Sequence, residues 1–266
     1  MNGAWLKKLS INNHYSSDNK IIELSKKLAF IPYLTENIAN QNIDTSIFII
    51  QHFLADFDSK YLKIFNDMLT AENIEKPNIT IFNSTRKDNR NESFTSDHEI
   101  FFYKTDTIKD PPLLLHEFTH YLINYNKLAI NDKKSKEIAP ILSEFIIGDK
   151  EYLKERLNTT IMDAKSLVIK YSIINGNYNL KELFNKYNLT PFEQSELISD
   201  INSRGLNFDS EVSYIYGILY AYYFSKANKL DNYRNLIMNK NISLVELDTN
   251  IVYELYDYLN IKPLTK

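Results

Sequence analysis

The chain has 266 residues, of which 44% are hydrophobic and 24% charged, a balance typical of a globular protein that buries a sizeable core in one or two domains. A formal net charge of -3 and the lack of a long lysine or arginine cluster argue against nucleic acid as a partner. Cysteine is absent, so disulfides and thiolate metal sites are excluded, and any zinc site must use His, Asp and Glu.

The sequence shows neither a complete secretory signal nor a membrane helix. Lys7 and Lys8 are not followed by the apolar segment of a signal peptide, and no apolar run approaches the roughly twenty residues that span a bilayer. We therefore expect a cytoplasmic protein without a membrane partner, or a secreted one if a signal has been trimmed.

Apolar residues at helical spacing dominate the sequence. In residues 17–30 and again in residues 46–71 they recur every three or four positions, so both segments are predicted to form core helices. These helices define a predicted N-terminal helical region, residues 1–75.

Residues 76–266 form the second predicted region, packed with the first as one compact unit. It begins with two predicted strands, PNITIFNST and HEIFFYKT, which are rich in β-branched and aromatic residues. The polar stretch RKDNRNESFTSD between them is expected to be a mobile connection. After Pro111 the chain is predicted to be helical almost to its end, with turn signals at 175–177, 190–191 and 203–205. The predicted fold class is α+β, predominantly α-helical, with a small sheet before the helix that follows Pro111.

That helix carries the most informative motif in the chain. Asp110 is predicted to cap it, and Pro111 to occupy its first position. It contains the stretch LLLHEFTHYLI, in which His116, Glu117 and His120 form the pattern H-E-x-x-H. The pattern is that of a metal-binding helix.

Helical geometry explains the spacing. Residues four apart on a helix are displaced by about 40°, so the imidazoles of His116 and His120 point the same way and can share one zinc ion. Glu117 is offset by about 100° from His116, which lets it reach a water on the ion without being a ligand. The leucines and aromatic residues of the stretch anchor the helix in the core.

A catalytic zinc needs a third protein ligand. Glu137 and Glu144 follow His120 by 17 and 24 residues and share a helix face two turns apart. Only one of them can bind the ion directly, and the other is expected to accept a hydrogen bond from a ligand histidine.

Two resemblances bear on this choice. The segment EIAPILSE is similar to the E-V-A-S-x-x-x-E segment of the oligoendopeptidase and thimet oligopeptidase group, which implies Glu137 as the ligand, although the connection from His120 is shorter here. The segment PILSEFIIGD resembles the P-x-W-L-x-E-G-x-A segment of small peptidase-MA-like zinc proteases, which implies Glu144. Pro140 also suits the first turn of a helix that presents Glu144. We favour Glu144 and keep Glu137 as the alternative.

A tyrosine-rich segment, EVSYIYGILYAYYFS, resembles the Y-x-x-G helix of gluzincins related to zinc aminopeptidases, whose tyrosine stabilises the oxyanion. This resemblance implies Tyr214 in that role, with Tyr216 as the fallback and Tyr220 or Tyr223 one or two turns further along. Gly217 would then allow a close helix approach to the site. Aromatic residues at helical spacing are also common in cores.

The resemblance to gluzincins spans residues 77 to 250, but the G-A-M-E-N loop with which zinc aminopeptidases hold a free amine is absent. The strand that follows His98 corresponds to the one that commonly forms the sheet edge beside an extended substrate in this fold. His98 itself reads as either part of that edge or a surface loop residue.

Together these features predict a zinc-dependent peptidase, a zincin-like endopeptidase of the gluzincin type, that acts on a peptide or protein substrate. Zinc would be the cofactor and Glu117 the general base. Two alternatives remain: a non-catalytic helical binding protein with structural zinc or none, and a compact oligopeptidase with Glu137 as the ligand.

Overall fold

The computed structural model describes residue 6 and residues 18–35, 37–71, 76–84, 93–96, 98–128, 135–238 and 244–259. These residues form eleven helices and one three-stranded sheet. The helices are α1 (Asn19–Ala29), α2 (Ile43–Phe57), α3 (Ser59–Leu69), α4 (Asp110–Tyr125), α5 (Ile138–Ile147), α6 (Lys150–Ile174), α7 (Leu180–Lys186), α8 (Pro191–Arg204), α9 (Asp209–Ser225), α10 (Lys229–Met238) and α11 (Ile251–Tyr258). The strands are β1 (Asn78–Asn83), β2 (Phe94–Thr95) and β3 (Glu99–Lys104). The prediction of a predominantly helical chain with a small sheet before α4 is confirmed.

The N-terminal helices follow the predicted apolar pattern. Helix α1 buries Ile21, Leu24 and Leu28 and packs mainly against α6. The predicted helical segment 46–71 is divided at Asp58, whose extended backbone ends α2. The side chain of Asp58 accepts a hydrogen bond from the N–H of Lys60 over 2.9 Å and so caps α3.

The sheet differs from the prediction in one respect. Strand β3 is central, because it pairs in parallel with β1 and antiparallel with β2. The expectation that the strand before the metal-binding helix forms the sheet edge is therefore wrong. Two β-forming residues of the polar connection, Phe94 and Thr95, make the edge strand instead. The rest of the expected mobile connection falls on residues 86–92 and 97, outside the described residues, and on residues 93 and 96 beside β2.

The later turn signals are confirmed. Gly176, with φ +92°, follows the end of α6, and Gly205, with φ +70°, ends α8. Both backbone conformations favour glycine. Thr190 caps α8 in a reciprocal capping box with Glu193.

Helix α5 lies at the centre of the helical part. Every residue from Ile138 to Phe145 is buried, and α4, α9 and α10 pack around it. A helix that is apolar on all sides is stable only when other elements cover it on all sides. None of the described helices is both long and apolar enough to cross a membrane.

The start of α4 is fixed differently from the prediction. Asp110 does not cap α4 with its side chain. Its buried carboxylate turns back and accepts hydrogen bonds from the N–H and hydroxyl of Thr105, both over 2.8 Å, and from the N–H of Asp106 over 2.9 Å. Asp106 has a positive φ of 53°. Asp110 therefore holds the tight turn that leads from β3 into α4.

Candidate metal centre

The two predicted histidines face each other on α4. The Nε2 atoms of His116 and His120 are 3.2 Å apart. His116 is buried and His120 is half-buried. Two imidazole nitrogens that converge in this way, one turn apart, are arranged to bind one ion.

Glu137 completes the group. It precedes α5, and its Oε2 atom lies 3.3 Å from Nε2 of His116 and 3.4 Å from Nε2 of His120. This oxygen is buried and accepts no well-aligned hydrogen bond from the described residues. Among those residues, His116, His120 and Glu137 are the set whose ligand atoms all lie within 4.8 Å of one another.

The spacing fits zinc. Zinc lies about 2.0 to 2.2 Å from its nitrogen and oxygen ligands, so two ligands of a tetrahedral site are separated by about 3.3 to 3.5 Å. The three separations in this group are 3.2, 3.3 and 3.4 Å. Two imidazoles and one carboxylate are also a donor set of catalytic zinc sites. The residues present therefore fit the ion that the motif implies.

Glu144 lies on the other side of the His116 ring. Its Oε1 atom is 2.6 Å from Nδ1 of His116, and its Oε2 atom is 3.1 Å from Nε of Arg156. A proton on Nδ1 that is donated to Glu144 leaves the Nε2 lone pair free for a metal. The structure thus brings Glu137 to the converging Nε2 atoms, and it places Glu144, favoured from the sequence, as the hydrogen-bond partner of Nδ1 of His116.

The electrostatics of the centre follow from this pairing. Burial lowers the pKa of His116, but the carboxylates of Glu137 and Glu144 outweigh this effect and raise it to about 10. Burial raises the pKa of Glu137, and contacts with His116 and His120 bring it well below its usual range. Glu137 is therefore an ionised, buried carboxylate whose charge His116 offsets.

Glu117 lies next to His116 at a cleft of about 620 Å³. The hydroxyl of Thr95, on the edge strand β2, donates to Oε2 of Glu117 over 2.7 Å and contacts its backbone oxygen at 2.8 Å. His116, Glu117 and Tyr214 all line the cleft. Of the three candidate ligands, His116 is the one among the described residues that line the cleft. A substrate in the cleft would thus lie beside His116, the predicted base and the predicted tyrosine.

The tyrosines of α9 point to different parts of the molecule. The ring of Tyr214 packs under the guanidinium of Arg156, with 5.0 Å from Cζ to the ring centroid. The hydroxyl of Tyr216 donates to Asp18 over 2.8 Å, and that of Tyr220 donates to the backbone oxygen of Val245 over 2.7 Å. Of these three tyrosines, Tyr214 is the one that lines the cleft. Its position agrees with the resemblance, which implied Tyr214 rather than Tyr216 or Tyr220.

Tyr223 and His98 are not among the described residues that line the cleft. Tyr223 is exposed and its ring contacts Phe224. His98 is exposed and precedes β3, which matches its reading as a surface loop residue.

Two residues around the centre escaped the sequence interpretation. Arg156 lies on α6, whose sequence carries charges on several faces, so no pattern marks this arginine as buried. Thr95 lies in a polar connection, and its only signal is the pair of β-forming residues Phe94 and Thr95.

Comparisons with protein-family models, with curated proteins and with solved structures found no match. What the centre can do chemically therefore follows from its own donor atoms and their surroundings.

Gly217 brings α9 against the residue that completes the metal group. A Cβ atom at this position would lie 2.6 Å from Cδ1 of Ile141, 2.9 Å from Cβ of Glu137 and 3.3 Å from the backbone carbon of Glu137. Contacts this short force the neighbouring atoms to move. The close approach expected from the Y-x-x-G resemblance is thus an approach to Glu137 itself.

We expect Gly217→Ala to weaken zinc binding by about tenfold or more, because it displaces Glu137. Helix propensity alone would make this change stabilising by about 1 kcal/mol, so a loss of stability of about 1 to 3 kcal/mol would mark the clash. Zinc affinity is measured by competition with a chelator, and stability by chemical denaturation.

Gly217→Ala combined with Ile141→Val is the control. The second substitution removes the nearest clashing atom but not the contact with Glu137, so stability recovers in part and zinc affinity does not. Unchanged affinity in Gly217→Ala would contradict this role.

Proposed function

We propose that this protein is a zinc-dependent peptidase of the gluzincin type, with a zincin-like catalytic region in residues 76–266. The observation that carries the proposal is the convergence of three metal-ligand atoms, at tetrahedral spacing, beside a carboxylate in a cleft. A purely structural zinc would be closed by a fourth protein ligand. Among the described residues, this group supplies three.

His116, His120 and Glu137 would hold the ion, and Glu144 would orient His116. When bound, zinc would polarise the scissile carbonyl and acidify a water. The remaining roles fall to side chains that line the cleft.

Glu117 is the general base in this proposal. Its Oε2 atom accepts a hydrogen bond from Thr95, so its Oε1 atom is the one that takes a proton from the attacking water. The same oxygen then delivers the proton to the leaving amine. Its position one residue after His116, at the cleft, supports this role.

Tyr214 would donate its hydroxyl proton in a hydrogen bond to the carbonyl oxygen as that oxygen gains negative charge. Two observations support this choice: the residue lines the cleft, and Arg156 packs on its ring. A cation over the ring restricts the side chain to one orientation.

The position of Glu137 favours one form of this activity. Glu137 is the ligand that the resemblance to oligoendopeptidases implies, and the cleft of about 620 Å³ has the size of sites that hold small ligands. A compact oligopeptidase that cleaves short peptides is therefore the second candidate function.

The ligand assignment predicts an order of zinc affinities. Glu137→Gln should weaken zinc binding by about a hundredfold or more, and Glu144→Gln by about tenfold to a hundredfold, because it removes only the partner of a ligand histidine. Affinity is measured by chelator competition on variants whose circular dichroism shows a folded protein, since Glu144→Gln also leaves Arg156 without its ion pair. The reverse order would identify Glu144 as the ligand.

The base assignment predicts that Glu117→Gln keeps one equivalent of zinc and lowers kcat by at least about a hundredfold. Zinc is measured by elemental analysis, and turnover by mass spectrometry of a digested peptide library. In the wild type, a chelator should abolish cleavage and added zinc should restore it. A variant that retains both zinc and full turnover would sink the assignment of Glu117.

The choice between the two forms predicts a dependence on substrate length. If the oligopeptidase form is correct, kcat/KM falls as peptides are lengthened around one cleavage site, and an unfolded protein with the same site is left intact. Equal cleavage of the long and short substrates would instead favour an endopeptidase of proteins.

A further inference from the structure

The hydroxyl of Thr95 donates a hydrogen bond to the carboxylate of Glu117. Among the described residues, it is the one side-chain hydrogen bond that this carboxylate accepts. Its hydroxyl lies 2.7 Å from Oε2 of Glu117 and 2.8 Å from the backbone oxygen of the same residue. A hydroxyl that donates to an ionised carboxylate makes a stronger hydrogen bond than one between neutral groups. The contact therefore fixes one of the two carboxylate oxygens.

The strand that carries Thr95 is held in place although it has only two residues. Phe94 and Thr95 pair with Phe101 and Ile100 of β3, and the rings of Phe94 and Phe101 are stacked with centroids 4.7 Å apart. The N–H of Ser96 donates to the oxygen of Glu99 over 2.8 Å.

Strand geometry explains why the hydroxyl meets α4. Successive side chains of a strand point to opposite faces. With the ring of Phe94 stacked on one face of the sheet, the side chain of Thr95 is directed to the other, where it contacts Glu117.

We propose that Thr95 is a positioning residue for the general base, which it orients through this hydrogen bond so that Oε1 of Glu117 faces the attacking water. The inference rests on the proposed function. A base must lie within hydrogen-bond reach of the proton that it removes, and small displacements lower the rate steeply. The free rotation of a glutamate side chain would spread the carboxylate over several orientations, and Thr95 selects one of them.

Thr95→Val tests the proposal, because valine has nearly the shape of threonine, favours strands and lacks the hydroxyl. We expect kcat to fall by about tenfold or more while KM and zinc content stay within about twofold of the wild type. Thr95→Ser, which keeps a hydroxyl, should recover most of kcat. Thr80→Val is the matched control: this strand hydroxyl of β1 contacts Asn78 at 3.2 Å and should leave kcat unchanged.

A second measurement does not depend on activity. A double-mutant cycle of Thr95→Val and Glu117→Ala in the metal-free protein should show a coupling of about tenfold in the unfolding equilibrium constant. The absence of coupling, or a kcat of Thr95→Val equal to that of the wild type, would overturn the proposal. The proposal would also be overturned if the loss of activity in Thr95→Val matched a loss of zinc, or if Thr95→Ser did not recover the activity. If wild-type protein cleaves no peptide although the coupling is present, the proposed function fails, and the role of Thr95 in orienting a base fails with it, while the hydrogen bond stands.

Discussion

The structure of the centre depends on two carboxylates, those of Glu137 and Glu144, that are buried among helices. Each of them is paired with a group of opposite charge. Moving an ionised carboxylate out of water costs several kcal/mol unless opposite charge and hydrogen bonds replace the water. Glu137 and Glu144 lie on opposite sides of one ring, since they contact the two different nitrogens of His116, and this ring supplies opposite charge to both. Arg156 offsets the second carboxylate. A divalent ion among His116, His120 and Glu137 would offset the first more fully than a protonated histidine does.

This pairing explains why the centre is built from several elements. Helix α4 supplies His116, Glu117 and His120, the start of α5 supplies Glu137, and the second turn of α5 supplies Glu144. Helix α6 supplies Arg156. Each of these side chains is held in place by the packing of the elements around it, and not by the backbone segment that carries it. Helix α9 can approach the start of α5 only because position 217 has no side chain. Strand β2 is held beside β3 by backbone pairing and by the stacking of Phe94 on Phe101.

The sequence was a good guide where structure is local. The period of the helix was enough to place His116, Glu117 and His120 on one side of α4, and the β-branched and aromatic residues were enough to locate β1 and β3. The glutamate that joins the two converging histidines could not be predicted because it depends on where α5 begins relative to α4. Glu137 and Glu144 are two turns apart, about 10 Å along the helix, yet both reach His116 because an imidazole has a nitrogen on each side. The edge strand β2 was missed because a strand of two residues gains its stability from its neighbour and not from its own sequence.

Arg156 joins the two halves of the centre. Its guanidinium contacts Glu144, which orients His116, and it covers the ring of Tyr214. Its Nη2 atom is buried and makes no hydrogen bond with the described residues, an arrangement that costs stability. One side chain thus balances the charge of Glu144, behind His116, and packs on the ring of Tyr214. The position of the proposed oxyanion donor is therefore tied to the residue that balances the charge beside His116.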